Sequence, residues 1–362
     1  MENTLLIIIF CIPLSFIISY MLSRYLLKNA DKFRIGKRVY SERIKLHRRG
    51  IPRLGGLAIY VSIYATLIIF YVFTIHQIQY KIARLAGIFL ASTLLVAYGL
   101  YDDIVKRMGY KIKFILQIMA CILVINFGYR VNVITNPFDG EIYIGALGVL
   151  FIIIWLIMTM NAINLMDGLD GLACGISIIV CFNFFIISLY QKNLFLFIMT
   201  TSAIGASAGF LMYNFYPAKL FLGDSGSIFL GFMLGIFAME SSTKRATAIS
   251  LIIPLLTLFI PLASVMFTFS RRIAYAKNPF EPDKKHLHYR FIKAGVSHKD
   301  TVLIYYSVSL FYMILGIFCF FMPKRFEIGI MILAAVTMWI LYMWAMHFLS
   351  AKKSRAAGKP SR

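Results

Sequence analysis

The sequence predicts an all-α polytopic membrane protein with about eleven transmembrane helices. Of its 362 residues 60% are hydrophobic, and the mean hydropathy is +0.80, a composition typical of membrane proteins and not of soluble domains. Apolar segments of about 17–25 residues recur along the chain, which is the length of helix that crosses about 30 Å of hydrocarbon. The polar connections are too short for a separate soluble domain. We therefore expect one integral membrane domain over residues 1–350 and a basic cytoplasmic tail over residues 351–362.

Eleven apolar segments account for the predicted helices. They lie at about 4–22, 53–75, 82–101, 111–127, 145–160, 172–190, 194–213, 221–239, 246–270, 301–322 and 327–349. The first segment lacks a basic leading region and a small-residue cleavage site, so we expect a retained helix rather than a removed signal peptide. Between the fourth and fifth segments, residues 130–144 are expected to form a short extracytoplasmic β-hairpin.

Basic residues are concentrated in alternate connections. The connections at 23–52, 102–113, 161–171, 214–225 and 271–300, the tail, and the adjoining Arg53 hold 29 of the 37 Lys and Arg residues. By the positive-inside rule these connections and the C-terminus are cytoplasmic, and the N-terminus is outside. Topology and anionic lipid headgroups explain most of the net charge of +22. Nucleic-acid binding is excluded, because no soluble module presents the charge.

Four polar clusters fall at the cytoplasmic ends of these segments. They are Asp102 and Asp103; Asn161, Asn164, Asp167 and Asp170; Asp224 and Ser225; and His286 and His288. A carboxylate in the membrane is unfavourable, since insertion scales assign about 2.5–3.5 kcal/mol to Asp at a helix centre. Such groups usually face a cavity and bind a ligand, so the clusters predict one site on the cytoplasmic face.

The residue types indicate a metal-bound diphosphate. Asn161, Asn164 and Asp167 are spaced by three, so in a helix they share roughly one face, and Asp170 continues the series. Carboxylate and amide oxygens suit Mg²⁺, which also uses oxygens of substrate phosphates. We predict Asp224, Asp167 and Asn164 as its ligands.

Other residues are expected to bind the phosphates. Gly168 lets the backbone approach a ligand closely, and "GDSG" at the start of a helix directs N–H groups towards an anion. Positive charge and hydrogen-bond donors come from five further side chains, which are Arg48, Arg53, His286, His288 and Arg290.

Simpler interpretations exist for some of these residues. Asp102 and Asp103 can cap a helix end beside Lys106 and Arg107, and adjacent residues lie about 100° apart on a helix, so only one is expected to face the site. Histidines in a basic loop can merely be solvated. The histidines outside that loop, His298 among them, are expected to be structural.

Five motifs taken in order resemble one enzyme family. They are "IPRLGGLAIY", "YGLYDDIVKRMGYKIKFILQ", "NAINLMDGLDGLA", "FLGDSGSIFLG" and "PDKKHLHYRF". The chain is similar, from about residue 45 to 300, to the bacterial polyprenyl-phosphate N-acetylhexosamine-1-phosphate transferases, in the undecaprenyl-phosphate GlcNAc-1-phosphate transferase group of glycosyltransferase family 4. Two positions depart from the family pattern: Tyr289 replaces the last histidine of His-x-His-His, and Ser264 stands where many members carry aspartate.

The resemblance implies an activity. A UDP-N-acetylhexosamine, with GlcNAc preferred, would give its sugar-1-phosphate to undecaprenyl phosphate and release UMP, with Mg²⁺ as cofactor and Mn²⁺ able to substitute. Asp102 or Asp103 is the family's candidate general base, beside Asp224 in the catalytic set. A positioning or metal-binding role and a two-step route through a phospho-aspartate stay open.

The resemblance also implies a setting. The protein is expected in the bacterial cytoplasmic membrane as a homodimer, with its active site facing the cytoplasm. The competing function is a transporter or flippase, whose carboxylates would couple to ions. Transporters place such groups near the bilayer midplane, whereas these groups lie at the cytoplasmic rim.

Overall fold

A computed structural model describes residues 2–30, 51–78, 82–105, 108–135, 141–242, 254–274, 287–322, 326, 328–340 and 343. Among the residues expected in the site, Arg48 and His286 lie outside these ranges, as does the tail at 351–362.

The described chain is helical apart from one hairpin. Its helices are α1 (Glu2–Asn29), α2 (Gly55–Ile78), α3 (Ile82–Ile104), α4 (Tyr110–Asn126), α5 (Leu147–Met166), α6 (Leu172–Tyr190), α7 (Leu194–Asn214), α8 (Gly223–Ser242), α9 (Phe259–Ala274), α10 (Leu287–Lys293), α11 (His298–Phe321) and α12 (Ile328–Ile340). The antiparallel strands β1 (Val133–Thr135) and β2 (Glu141–Tyr143) pair with Val133 opposite Tyr143. The predicted hairpin is therefore present.

Each predicted apolar segment contains helix wherever it is described. Among the described residues, six helices are long and apolar enough to cross a membrane: α1 from Phe10, α3, α5, α6, α7 and α11. The protein is thus an all-α, multi-pass membrane protein. One boundary matters for the site: α5 continues to Met166, so Asn161 and Asn164 belong to the helix.

Helix α8 lies at the centre of the bundle. It packs against α2, α3, α5 and α6, and from Gly223 to Ser241 every residue except Asp224 is buried. Small residues make this possible. A Cβ on Gly231 would lie 2.5 Å from the carbonyl oxygen of Thr159 and 2.7 Å from Cα of Met160. Such close backbone approach is the usual basis of helix association in membranes.

The C-terminal end of α8 is fixed by a buried carboxylate. Glu240 is fully buried and accepts hydrogen bonds from Nδ2 of Asn193 at 3.2 Å and the hydroxyl of Tyr129 at 3.4 Å. Arg84 pairs with it at 3.5 Å. This cluster lies about 24 Å from Asp224 along the helix, at 1.5 Å per residue. Because this cluster anchors the C-terminal end of α8, a group that fixes the N-terminal end also fixes the position of Asp224 along the helix axis.

Candidate active site

The N-terminal end of α8 is capped by Asp103. Its Oδ1 accepts from the backbone N–H of Asp224 at 3.1 Å, and its Oδ2 accepts from the backbone N–H of Ser225 at 3.1 Å and from the Ser225 hydroxyl at 3.0 Å. The carboxylate thus accepts from two backbone N–H groups and one hydroxyl at the start of the helix, as an N-terminal cap does. Gly223 has φ +76°, and a Cβ there would overlap the Asp103 carboxylate.

This cap changes the expected use of "GDSG". The N–H groups of Asp224 and Ser225 donate to Asp103, so the anion at this helix start is a side chain of the protein itself. What the motif presents to a ligand is the half-buried carboxylate of Asp224.

Asp102 takes a different role from its neighbour. Its Oδ2 lies 2.7 Å from Nζ of Lys113, and the same Nζ lies 2.6 Å from Oδ2 of Asp224. Its Oδ1 also accepts from the backbone N–H of Met108. As their angular separation predicts, the two aspartates point to different partners. The Lys113 side chain is 22% exposed and that of Asp224 is 16% exposed, so the pair is only partly buried by the protein.

The last turn of α5 lies beside this pair. Oδ1 of Asn164 accepts from the hydroxyl of Ser227 at 3.0 Å, which joins α5 to the first turn of α8. Nδ2 of Asn161 donates to Oε1 of Gln117 at 3.0 Å, on the α4 helix that carries Lys113. Asn161, Asn164 and Asp167 are all half-buried.

The predicted row of polar residues ends at Asp167. Asp167 follows the last residue of α5, and Gly171 with φ +78° precedes α6, so residues 167–171 form a turn instead of continuing the helix. Asp170 consequently leaves the row. It is buried, and its Oδ2 accepts from the backbone N–H of Ala218 at 3.0 Å.

The histidine segment packs on the same turn. His288 in α10 is fully buried, and a Cβ on Gly168 would lie 2.5 Å from its Nε2. The hydroxyl of Tyr289 donates to the carbonyl oxygen of Gly168 at 3.4 Å. Arg290 follows and is half-buried. Gly168 is thus needed for α10 to lie against the turn.

The segment before α2 completes this end of the bundle. The backbone N–H groups of Gly55 and Gly56 donate to the carbonyl oxygens of Phe221 and Leu222, each at 3.0 Å. This pairing brings the half-buried Arg53 near enough to Asp103 for a favourable electrostatic interaction. All four polar clusters from the sequence therefore have members at one end of the bundle.

A divalent cation fits part of the predicted ligand set. The Asp102 and Asp224 carboxylates share one ammonium, so their oxygens can share a metal ion at the same place. In the described part of the chain, no three His, Cys, Asp or Glu side chains form a complete metal-binding group. The remaining oxygens would come from Asn164, Asp167 or a substrate phosphate.

Four residues of this end are not expected from the sequence. Lys113 looks like any basic residue at the cytoplasmic start of an apolar segment, so only its spacing of four from Gln117 could have indicated a shared polar face. Asn214, His298 and Tyr306 all bond to the backbone of Asp170 or Gly171. Nothing local in the sequence indicates those contacts, because the partners lie 43 to 135 positions apart.

The fold and the site together define a multi-pass membrane protein with a partly exposed charged centre at one end of its bundle. Such a centre suits an enzyme that acts on a charged substrate at the membrane surface. A sequence profile of Glycosyl transferase family 4 matches residues 85–242. The chain belongs to this family.

The alignments with known relatives cover most of both sequences. The chain is 30% identical to the probable undecaprenyl-phosphate N-acetylglucosaminyl 1-phosphate transferase of Bacillus subtilis, over 82% of this chain and 77% of the relative. It is 33% identical to the undecaprenyl-phosphate alpha-N-acetylglucosaminyl 1-phosphate transferase of Thermotoga maritima, over 83% and 87%. The phospho-N-acetylmuramoyl-pentapeptide-transferase of Listeria monocytogenes is 31% identical, over 77% and 87%.

Proposed function

We propose that this chain transfers N-acetylglucosamine-1-phosphate from UDP-N-acetylglucosamine to undecaprenyl phosphate and releases UMP. The lipid-linked diphosphate sugar would initiate synthesis of a cell-envelope polysaccharide. The observation that carries the proposal is the Asp102–Lys113–Asp224 cluster at the start of a buried helix, beside Asn164 of α5. The names of the Bacillus and Thermotoga relatives support the sugar and the lipid.

The reaction exchanges one phosphoanhydride for another. An oxygen of the lipid phosphate attacks the β-phosphorus of the nucleotide sugar, and the bond from that phosphorus to the bridging oxygen breaks, so UMP leaves with the bridging oxygen. A phosphate monoester has a second pKa of about 6 and is largely dianionic at pH 7, so no proton must be removed from it. Asp102 therefore serves to orient Lys113, and Asp103 to orient Asp224, without either acting as a base.

The side chains around the cluster act on charge. Lys113, Arg53 and Arg290 offset the negative charge of the two phosphate substrates, and buried His288 supports the wall of the site at Gly168. Asp224 with Asp102, and the predicted ligands Asn164 and Asp167, would hold Mg²⁺, with Mn²⁺ able to replace it. A bound dication supplies electrostatic stabilisation of the transferring phosphoryl group.

The membrane topology is part of the proposal. All eleven apolar segments would span the bacterial cytoplasmic membrane as one catalytic domain over residues 1–350, with the N-terminus outside and the site facing the cytoplasm. A homodimer stays a prediction. The topology can be tested by thiol labelling, because the five native cysteines are buried. In intact cells Tyr143→Cys, in the exposed hairpin, should label from outside and Lys219→Cys should not; the reverse result would overturn it.

Reversal of the reaction tests the activity. Because a bond of the same kind is broken and made, the equilibrium constant should lie near one. Protein in detergent micelles, given undecaprenyl-diphospho-GlcNAc, Mg²⁺ and labelled UMP, should form labelled UDP-GlcNAc, and EDTA should abolish the exchange. Asp300→Asn, at an exposed position, is the matched control for Asp224→Asn and should stay active. A transporter would form no covalent product in micelles. The proposal is contradicted if folded protein forms no covalent product with any UDP-N-acetylhexosamine.

A further inference from the structure

Helix α11 contacts the turn at residues 167–171 at two points. The first is His298, the first residue of α11. Its Nε2 accepts a hydrogen bond from the backbone N–H of Asp170 at 2.8 Å. The imidazole is stacked on the ring of Tyr216, with centroids 4.7 Å apart and an interplanar angle of 24°. A ring nitrogen that accepts a hydrogen bond is unprotonated, so His298 serves here as a neutral acceptor in a fixed orientation.

The second contact point is Tyr306, about two helical turns further along α11. Its hydroxyl donates to the carbonyl oxygen of Gly171 at 2.5 Å. Gly175, one turn into α6, leaves room for this side chain, since a Cβ there would overlap the Tyr306 ring and hydroxyl. Together the two side chains of α11 hold the N–H of Asp170 and the C=O of Gly171.

The opposite side of the turn is held by the connection between α7 and α8. Oδ1 of Asn214 accepts from the backbone N–H of Gly171 at 3.1 Å, and the Asp170 carboxylate accepts from Ala218. The turn contains two glycines and would be mobile without such contacts. With Asp170 and Gly171 held from both sides, Asp167 and Gly168 are left half-buried at the site.

We propose that His298 and Tyr306 are positioning residues of the transferase, a clamp on α11 that fixes the turn so that Asp167 and Gly168 meet the substrate in one arrangement. This inference rests on the proposed function for its effect on turnover, and on the geometry alone for its effect on the turn. A displacement of about 1 Å at such a residue can lower a rate about 100-fold, whereas the loss of one hydrogen bond in a domain of this size lowers the melting temperature by only a few degrees. The clamp should therefore change turnover much more than the melting temperature.

Four variants of the full chain test the clamp. Tyr306→Phe and His298→Ala each remove one contact. In His298→Gln an amide oxygen can take the place of Nε2 as acceptor. This variant should therefore be at least fivefold more active than His298→Ala. Tyr312→Phe is the matched control. Tyr312 lies on the same helix, and its hydroxyl donates to the carbonyl oxygen of Ala334 at 3.1 Å, away from the turn.

Two measurements separate the clamp from the proposed function. In hydrogen–deuterium exchange, the peptide covering 165–173 should exchange at least tenfold faster in Tyr306→Phe and His298→Ala than in wild type or Tyr312→Phe. In an assay of the forward reaction, with UDP-GlcNAc and undecaprenyl phosphate supplied, the same two variants should lose at least tenfold in kcat, with a higher KM for UDP-GlcNAc. Their melting temperature should be like that of Tyr312→Phe.

Each outcome decides one statement. Unchanged exchange of the 165–173 peptide overturns the clamp, whatever the reaction proves to be. Faster exchange with unchanged kcat and KM overturns the positioning role. Equal loss in His298→Gln and His298→Ala shows that the acceptor is not what matters, which also overturns it. Inactive wild-type protein contradicts the proposed function, and the exchange measurement still decides whether the clamp exists.

Discussion

Replacement of Asp103 is the sharpest test of how the site is built. Asp103→Ala removes the acceptor of three hydrogen bonds and leaves the N–H groups of Asp224 and Ser225 at a buried helix start. Loss of an N-terminal cap costs about 0.5–2 kcal/mol, and loss of a partly buried charge from a helix N-terminus costs up to about 2 kcal/mol. The expected destabilisation is therefore about 0.5–4 kcal/mol. Asp103→Asn keeps one acceptor oxygen but no charge, and should lose about half as much.

The native cysteines provide the assay. All five are free and buried, so a dye that becomes fluorescent on reaction with thiols reports unfolding without any engineered label. For a domain of about 350 residues, an unfolding entropy of about 2.1 cal/mol/K per residue means that 1 kcal/mol shifts Tm by roughly 1.4 °C. At one fixed scan rate, Asp103→Ala should melt roughly 1–6 °C below wild type. Asp102→Asn should lose only about 1 kcal/mol, because Lys113 keeps its ion pair with Asp224.

Two results would refute this reasoning. Asp103→Ala that melts with wild type but has no activity would mean that the carboxylate acts on the substrate and not as a cap. Equal destabilisation by Asp102→Asn and Asp103→Ala would mean that the two aspartates do not divide their roles as their contacts indicate.

Four further substitutions have defined outcomes. Asp224→Asn and Asp167→Asn should each lose nearly all activity, because each removes a charge that a dication requires. A Mg²⁺ titration of the activity checks this, and a wild-type rate of Asp224→Asn at low Mg²⁺ would exclude Asp224 as a ligand. Lys113→Met should raise the apparent affinity for Mg²⁺, since no ammonium then competes for the two carboxylates, and it should lower kcat. An unchanged Mg²⁺ requirement would show that the Lys113 ammonium and Mg²⁺ do not compete. Gly231→Val should destabilise the bundle by at least about 1–3 kcal/mol, because a Cβ there lies 2.5 Å from the carbonyl oxygen of Thr159, and a wild-type Tm would contradict this packing.

The sequence predicts the helices well for a physical reason. Every backbone polar group in hydrocarbon must be bonded within its own segment, so an apolar run of sufficient length has helix as its main solution. The end of α5 is less predictable. The predicted apolar segment ends near residue 160, but α5 continues to Met166, with Ala162, Ile163 and Met166 buried and with Asn161 and Asn164 bonded across to α4 and α8. Apolar burial and tertiary hydrogen bonds together accompany the extra turns.

The sequence predicts which acidic and amide residues lie at the site, but it predicts their roles less well. Asp102 and Asp103 are adjacent and alike in sequence, and only the position of α8 makes one a cap and the other a partner of Lys113. Asp170 and His298 show the same limit. A sequence pattern shows that a polar residue is unusual at its position, but its role depends on a partner 128 positions away.

The charges at the start of α8 bear on the proposed metal ion. Asp103 accepts three hydrogen bonds there, and Asp102 and Asp224 flank the ammonium of Lys113 as two anions. Lys113 supplies one positive charge against these two, so the Asp102–Lys113–Asp224 cluster carries a formal charge of −1. A centre of that sign repels both a lipid phosphate and a nucleotide diphosphate. One dication would reverse the sign to +1, and the positive centre would then attract both anionic substrates.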